Sequence, residues 1–272
     1  MTRNALILVA AAAALALVPA AAAVGPSLPA VSAPVTLGAS SYVAKPTTGS
    51  TTLLSERVKG KPAHQESLAG LWGVPMVTLG APGVGGLSPN GRILVLSDNV
   101  NSDGTLRDRS RFAVVDTRTL AVVRTIALRG DYSFDALSPA GRWLYLIHHV
   151  ASTGDRYQVK AYDLRAGRLL PGVVADKRQA GWLMAGYPVS RATSPGGRWV
   201  YTLYQQSNNY PFVHALDTVN RTAICIGLPW KWWKAAAAIG GAKLTLVGHT
   251  LTVAGGKARF ALDTSTFRVT GA

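Results

Sequence analysis

A single cysteine, Cys225, stands in a chain of 272 residues, so no disulfide can close within it and stability has to come from ordinary packing. Its setting, TAICIGLPW, reads as a buried strand with no local histidine or acid to make the thiol reactive. Acidic residues are scarce: 13 Asp and Glu stand against 28 Lys and Arg, for a net charge of +15. Catalytic signatures are missing as well, since there is no Gly-x-Ser-x-Gly, no phosphate-binding glycine loop and no carboxylate pair beyond turn aspartates. The five histidines lack ligand spacing, and the adjacent His148 and His149 point to opposite faces of any strand they share. No cofactor and no metal are expected.

What is present begins with an export signal. Arg3 is a minimal basic start, Ala5 to Val18 an apolar stretch, and Ala21-Ala22-Ala23 a small-residue cleavage site, which together read as a secretory signal peptide over residues 1–23. An uncleaved anchor over Ala5 to Val24 is the competing reading, and Pro19 with the alanines after it favours cleavage. No cysteine follows the apolar stretch, so lipid anchoring is not indicated. Residues 24–50, rich in Ala, Pro, Ser, Thr and Gly, are expected to be a flexible linker, and residues 51–272 the folded domain. A secreted, extracytoplasmic protein of this charge favours acidic partners: an envelope polymer, a glycan, an acidic protein, or lipid headgroups in a peripheral membrane-surface contact. Nucleic acid is not expected, because the basic residues are dispersed and form no tract with interleaved aromatics. A plain basic, soluble surface fits the same charge.

Internal repeats are the strongest signal. LSPNGRILVLSD (87–98), LSPAGRWLYLIH (137–148) and TSPGGRWVYTLY (193–204) align without gaps. A second marker keeps the same beat, with Asp116, Asp163, Asp217 and Asp263 each opening a turn of the type VVDTRT or ALDTST. Ser-Pro-x-Gly supplies a tight turn, the residues after it favour strands, and the Asp side chain can accept backbone N–H bonds in the later turn. Each unit of about 45 residues thus holds four antiparallel strands that cannot bury both faces alone, which implies radially packed blades. The last unit has Gly248-His249 where Gly141-Arg142 stands in the Ser-Pro turn, with no Ser-Pro before it, and a two-residue hairpin is expected at Gly255-Gly256. Four units are countable from Val84, and residues 51–80 are expected to add a partial fifth. The expected fold is all-β: a propeller of four to five four-stranded blades, either closed or incomplete.

On Ser-Pro-x-Gly-Arg, the strand WLYLIH and Val-Val-Asp-Thr, the chain from about residue 84 to 270 resembles the YVTN-type β-propellers, relatives of the WD-repeat folds. Tyr145 and Tyr201 match the family's tyrosine, whereas Asp98, His148 and Tyr204 take its asparagine position. The resemblance implies an extracytoplasmic binding or surface role, with some relatives acting as lactonases.

Candidate site residues follow from the repeat columns. Three residues before each Ser-Pro lie Gly85, Asp135 and Arg191, placing a carboxylate and a guanidinium toward the axis of consecutive blades. With His148, Tyr204 and Asp98 they would form a polar pocket at the channel mouth; alternatively Asp135 and Arg191 form an ion pair that holds blades together. PWKWWKAAAA breaks the repeat, and Trp232 and Trp233 between Lys231 and Lys234 form either an exposed aromatic platform or packing between blades. The favoured function is a secreted, non-catalytic binding or scaffold propeller, and the alternative is a lactonase-like hydrolase with a polar channel site. On an exposed edge, changing both Trp232 and Trp233 to Ala leaves melting within about 0.5 kcal/mol of wild type and weakens retention on an anionic glycan. Buried tryptophans instead cost roughly 3 to 5 kcal/mol each, and a thermal melt beside a pull-down separates the two.

Overall fold

The computed structural model describes residues 28–80, 83–98, 105–150, 156–178, 183–206, 210–231 and 238–271. A short β1 (Ala30–Val31) precedes sheet I, built of β2 (Val35–Leu37), β3 (Ser40–Thr47), β4 (Thr51–Val58) and β5 (Lys61–Ala69). Sheet II follows with β6 (Trp72–Pro75), β7 (Ile93–Asp98), β8 (Arg109–Asp116) and β9 (Ala121–Arg129), and β1 pairs with the inner strand β6. Sheet III holds β10 (Asp131–Leu137), β11 (Trp143–His149), β12 (Arg156–Asp163) and an outer edge split into β13 (Arg168–Leu169) and β14 (Met184–Ala185). Sheet IV is β15 (Tyr187–Thr193), β16 (Trp199–Gln205), β17 (Phe212–Asp217) and β18 (Thr222–Gly227). Sheet V is β19 (Lys243–Val247), β20 (Thr250–Gly255), β21 (Ala258–Asp263) and β22 (Val269–Gly271). Every sheet is an antiparallel meander, and the fold is the all-β propeller architecture expected from the repeats.

Strand alternation explains the continuous apolar runs. In β11, Leu144 and Leu146 pack toward sheet II while Tyr145 and Ile147 pack toward sheet IV, so WLYLI is apolar on both faces because both are covered. Four buried clusters join I to II, II to III, III to IV and IV to V. Among the described residues, none joins V to I.

The two repeat markers are bound to each other. In the Ser-Pro-x-Gly turns the serine hydroxyls of Ser88, Ser138 and Ser194 accept the backbone N–H of Ile93, Trp143 and Trp199 at 2.9 to 3.0 Å. Gly141 stands at φ 70°, a left-handed conformation that glycine adopts without a Cβ penalty. In the later turn the carboxylates of Asp163, Asp217 and Asp263 each accept two backbone N–H bonds, and Asp116 accepts that of Arg118. The arginine of the first marker closes the loop: Arg142 reaches Asp163 at 3.3 Å and Arg198 reaches Asp217 at 2.9 Å. In sheet V, His249 takes the arginine's place, with its carbonyl accepting Thr264 N–H as Arg198 O accepts Thr218 N–H.

The same turns also latch neighbouring sheets. The Tyr145 hydroxyl donates to the Thr218 carbonyl of sheet IV at 2.8 Å. Tyr201 engages the side chain of Thr264 in sheet V, and Tyr42 that of Thr117 in sheet II. Between II and III the corresponding residues are Val95 and Leu164, and the latch is replaced by apolar packing. The fifth residue of each Asp turn, Leu120, Gly167, Arg221 or Phe267, has positive φ. Three of these carry side chains, which reach the preceding sheet: Leu120 enters the I–II core, Arg221 stacks on Trp143, and Phe267 packs edge-on to Trp199. Those contacts offset the roughly 1 to 2 kcal/mol that a left-handed conformation costs a residue with a Cβ.

Three expectations need correction. Residues 24–50 were expected as linker and the domain from 51, but β1, β2 and β3 lie within that stretch and Val35, Tyr42 and Ala44 are buried against sheet II. Their Ser, Thr and Gly content belongs to solvated strand faces and to turns such as Gly38, at φ 58°. The expected partial fifth unit over residues 51–80 divides differently: Thr51–Val58 is the third strand of a complete sheet I, while Trp72–Pro75 is the inner strand of sheet II, with Val84 bridging Met76 just after it and Leu87 bridging Leu94 of β7. The last hairpin turns on Gly256-Lys257, since Gly255 pairs with Ala258. The expected signal peptide lies outside the described residues. Replacing Tyr145 by Phe removes one buried inter-sheet hydrogen bond and leaves the packing, so chemical denaturation should show a loss of about 1 kcal/mol, without change in far-ultraviolet circular dichroism.

Candidate functional site

A cavity of about 400 Å³ lies at the axial end that carries the Ser-Pro turns. Four sheets line it, among others through Leu37, Leu87, Phe134, Asp135, Arg191 and Val200. Its walls are made by irregular inner strands: β10 shifts register between Phe134 and Ala136, and β15 between Pro188 and Ser190. Such bulges re-aim side chains, and Asp135 lies within the first. After β6 the chain reaches sheet IV, where Leu79 and Gly80 N–H donate to the Pro188 and Val189 carbonyls of β15 at 2.9 and 3.1 Å. A Cβ on Gly80 would stand 2.6 Å from Val189 O, so this crossing requires glycine. Gly85, in the same repeat column as Asp135 and Arg191, also lines the cavity, and a side chain there would meet Val77 and Phe134.

Arg191 is fully engaged on one side. Its guanidinium donates to the Asp135 carboxylate and carbonyl, while Nε donates to Thr202 Oγ1 at 3.0 Å. The two side chains are 14% and 3% exposed, so the pair pins sheet III to sheet IV inside the cavity wall. Removing one partner of such a pair leaves a buried charge at a cost of about 3 to 5 kcal/mol.

The other expected members of this pocket lie elsewhere. Asp98 ends β7 at the opposite end of the sheets, where Arg107 binds it at 3.2 Å and Asp131 at 2.9 Å. Burial raises the Asp98 carboxyl above its ordinary range although Arg107 pulls the other way. His148 pairs with Tyr132 and stacks on its ring at 4.4 Å; burial and Lys160 lower its pKa. His149 points the other way, with Nε2 3.0 Å from Ser133 Oγ, and burial holds its pKa down to about 4 against the pull of Asp131. Tyr204 is in the III–IV core between Tyr157 and Phe212, at ring separations of 5.3 and 5.2 Å. The set therefore does not converge: Asp135 and Arg191 meet, and Asp98, His148 and Tyr204 do not join them. The physical reason is strand length, since β10 and β11 carry Asp131 and His149 to one end and the Ser-Pro turn to the other.

Sequence reasoning missed His214. It sits opposite Thr202 across β16 and β17, fully enclosed, and burial holds its pKa at about 4. Only the strand register places it one step beyond Thr202 and Arg191. Among the described residues, no three of His, Cys, Asp and Glu converge on a common point. Trp232, Trp233 and Lys234 lie outside the described residues; Lys231 is exposed, and Trp230 before it is buried against Phe260 at 5.5 Å.

A second feature is the rim around the Ser-Pro turns. Both turn types lie at the same end of a four-stranded meander, so sheets II to V gather exposed basic side chains there. Arg92 and Arg118 come from sheet II, Arg142 and Arg165 from III, Arg198 and Arg221 from IV, and His249 and Arg268 from V, all exposed. Trp143 is sandwiched between the Arg142 and Arg221 guanidinium groups at 4.3 and 4.5 Å. The acids of this rim are committed to their turns: the side-chain and backbone bonds of Arg118 hold Asp116 down to about 2, and hydrogen bonds from the turns hold Asp163 and Asp263 below the ordinary range.

No family model and no curated protein match the chain. Solved structures do: a study of two prolyl endopeptidases provides one at 10% identity and TM-score 0.52, covering 90% of this chain and 36% of that one. A structure described as TolB from Agrobacterium tumefaciens is 14% identical, with a TM-score of 0.48, over 90% of this chain and 80% of its own. A structure described as a 6-phosphogluconolactonase from Bacteroides uniformis is 15% identical, with a TM-score of 0.49, over 88% and 68%. At these identities the likeness is one of fold alone.

The buried histidines make stability depend on pH with a defined sign. His149 and His214 titrate near 4 when folded and near 6.5 when unfolded, so the unfolded chain binds more protons between those values. Their stabilising effect is complete above about pH 6.5 and is lost as pH falls toward 4, on the order of 3 kcal/mol for each. Melting temperatures from pH 7 to 4.5 should fall in that window, and His149→Gln should flatten the profile by about half its slope.

Proposed function

We propose that the chain is an exported, non-catalytic β-propeller that binds an anionic polymer of the cell envelope on its Ser-Pro rim. One observation carries this reading: sheets II, III and IV each set two exposed arginines on the same end, while the nearby aspartates are tied into turns. Guanidinium groups held on a rigid rim lose little freedom on binding, and their planar forks match carboxylate, sulfate or phosphate groups. The net charge of +15 adds long-range attraction to such a partner, and the leader-like residues 1–23 support a reading of export to where envelope polymers are.

The hydrolase reading rests on the axial cavity and its one carboxylate. Hydrolysis there needs a free acid or base, and Asp135 is already held by Arg191. Cys225 offers no nucleophile, because burial keeps it a thiol with a pKa pushed up to about 12. The binding reading therefore stands ahead of it.

Arg92 and Arg165, like Arg268, make no ion pair with the turn aspartates, so changing their side chains tests the proposal while the backbone bonds of the turns stay in place. Retention of the purified protein on immobilised dextran sulfate should fall steeply with salt. The double change Arg92→Ser and Arg165→Ser should lower the eluting salt concentration and leave the melting temperature unchanged. Equal retention of wild type and variant would remove the rim as the binding face, and retention on neutral glycan or on an envelope protein fraction alone would replace the polymer with that partner.

A further inference from the structure

The outer margin of the III–IV interface brings three soft donor atoms together. His214 on β17 and Cys225 on β18 are cross-strand partners, and both face sheet III. Met184 comes from sheet III itself, because the outer edge of that sheet breaks after β13 and resumes only at β14, beside Tyr157. Cys225 Sγ is 3.6 Å from His214 Nδ1 and 3.9 Å from Met184 Sδ. Asp176, from the intervening segment, accepts the Cys225 backbone N–H at 2.9 Å and is itself bound by Arg178, which fixes β18 in place. His214 and Met184 are 2% and 8% exposed, whereas Cys225 is half-buried and opens the cluster to solvent.

His214 turns Nδ1 toward Cys225 Sγ and keeps Nε2 buried on the far side of the ring, so Nδ1 is the ring nitrogen that faces the two sulfurs. Donors bound at about 2.0 to 2.3 Å and spread trigonally around one ion stand roughly 3.5 to 4 Å apart, and both measured separations fall in that range.

We propose that His214, Cys225 and Met184 form a three-coordinate site for one Cu(I) ion. Thiolate, thioether and imidazole are the ligand set that soft Cu(I) selects. Charge decides between metals: Cu(I) with one thiolate is neutral and suits an aromatic wall, whereas Zn(II) would leave a net positive charge there and asks for a fourth ligand. Loading exchanges the Cys225 thiol proton, released to solvent, for the ion, and no electron is transferred. The sequence led to an expectation of no metal, and the proposed site sets that expectation aside. The Met184 and His214 donors come from different sheets, which is why no sequence spacing announces them.

Anaerobic titration of the mature protein with Cu(I) against the chromophoric chelator bicinchoninate tests the site. The wild type should withdraw about one equivalent from the chelator, and X-ray absorption should show sulfur ligands near about 2.3 Å. Cys225→Ser should abolish this competition. Met184→Leu, a volume-conserving change that keeps the fold, should weaken it at least tenfold, with thermal melting as the control. A wild type that takes no copper from the chelator, or variants that take as much as wild type, would overturn the proposal, and so would tighter binding of Zn(II) than of Cu(I) in the same competition.

Discussion

Each of the last four sheets depends on an aspartate that closes its outer turn. The carboxylate satisfies backbone N–H groups that would otherwise be unpaired, and in sheets III and IV it also receives the arginine of the Ser-Pro-x-Gly-Arg turn. That one interaction ties the turn between the first and second strands of a sheet to the turn between its third and fourth. It fixes where the fifth turn residue points, and thus the contacts that Arg221 and Phe267 make with the preceding sheet. With the tyrosine latches from the other direction, neighbouring sheets are joined by polar bonds at the rim and by apolar packing beneath it. The rim cations follow as a by-product, because turns that bring their own arginines expose whatever part of each guanidinium the aspartate does not use.

The interior is ordered by a different rule. A sheet buried on both faces has room for polar side chains only where they meet one another, and across sheet IV they do so in a row. Arg191, Thr202, His214 and Cys225 are successive cross-strand partners, one per strand, all turned toward sheet III. Asp135 meets the axial end of the row and Met184 its outer end. The row passes from hard, charged groups at the axis to soft, neutral ones at the margin. Burial enforces this gradient: a charge survives only beside its counter-charge, while isolated titratable groups stay neutral, as the histidines and Cys225 do.

Much of the fold was legible because repeats carry their own alignment. Ser-Pro-x-Gly and Asp-Thr recur in phase, and each has a local chemical reason to be a turn, so four sheets and their strand order could be read before any contact was known. Sheet I was read only in part because it lacks both markers: its turns use Gly38, Gly49 and Gly60 at positive φ, and its strands are rich in Ser, Thr and Lys. Composition alone made residues 24–50, which carry β2 and β3, look like a linker. Asp135 and Arg191 share a repeat column and pair with each other, whereas Asp98, His148 and Tyr204 belong to a column that lies further along the strand.

The sequence by itself determined the turns, the strands between them and the sign of the surface charge, since these depend on residues close together in the chain. Only the tertiary structure decided which polar groups meet. Arg107 joins Asp98 to Asp131, Leu79 and Gly80 bond to β15, and Met184 reaches Cys225 through a break in the outer edge of sheet III. Each of these contacts depends on bulges, register and the packing of one sheet on the next, and those are set by the sum of many apolar contacts that no short motif encodes.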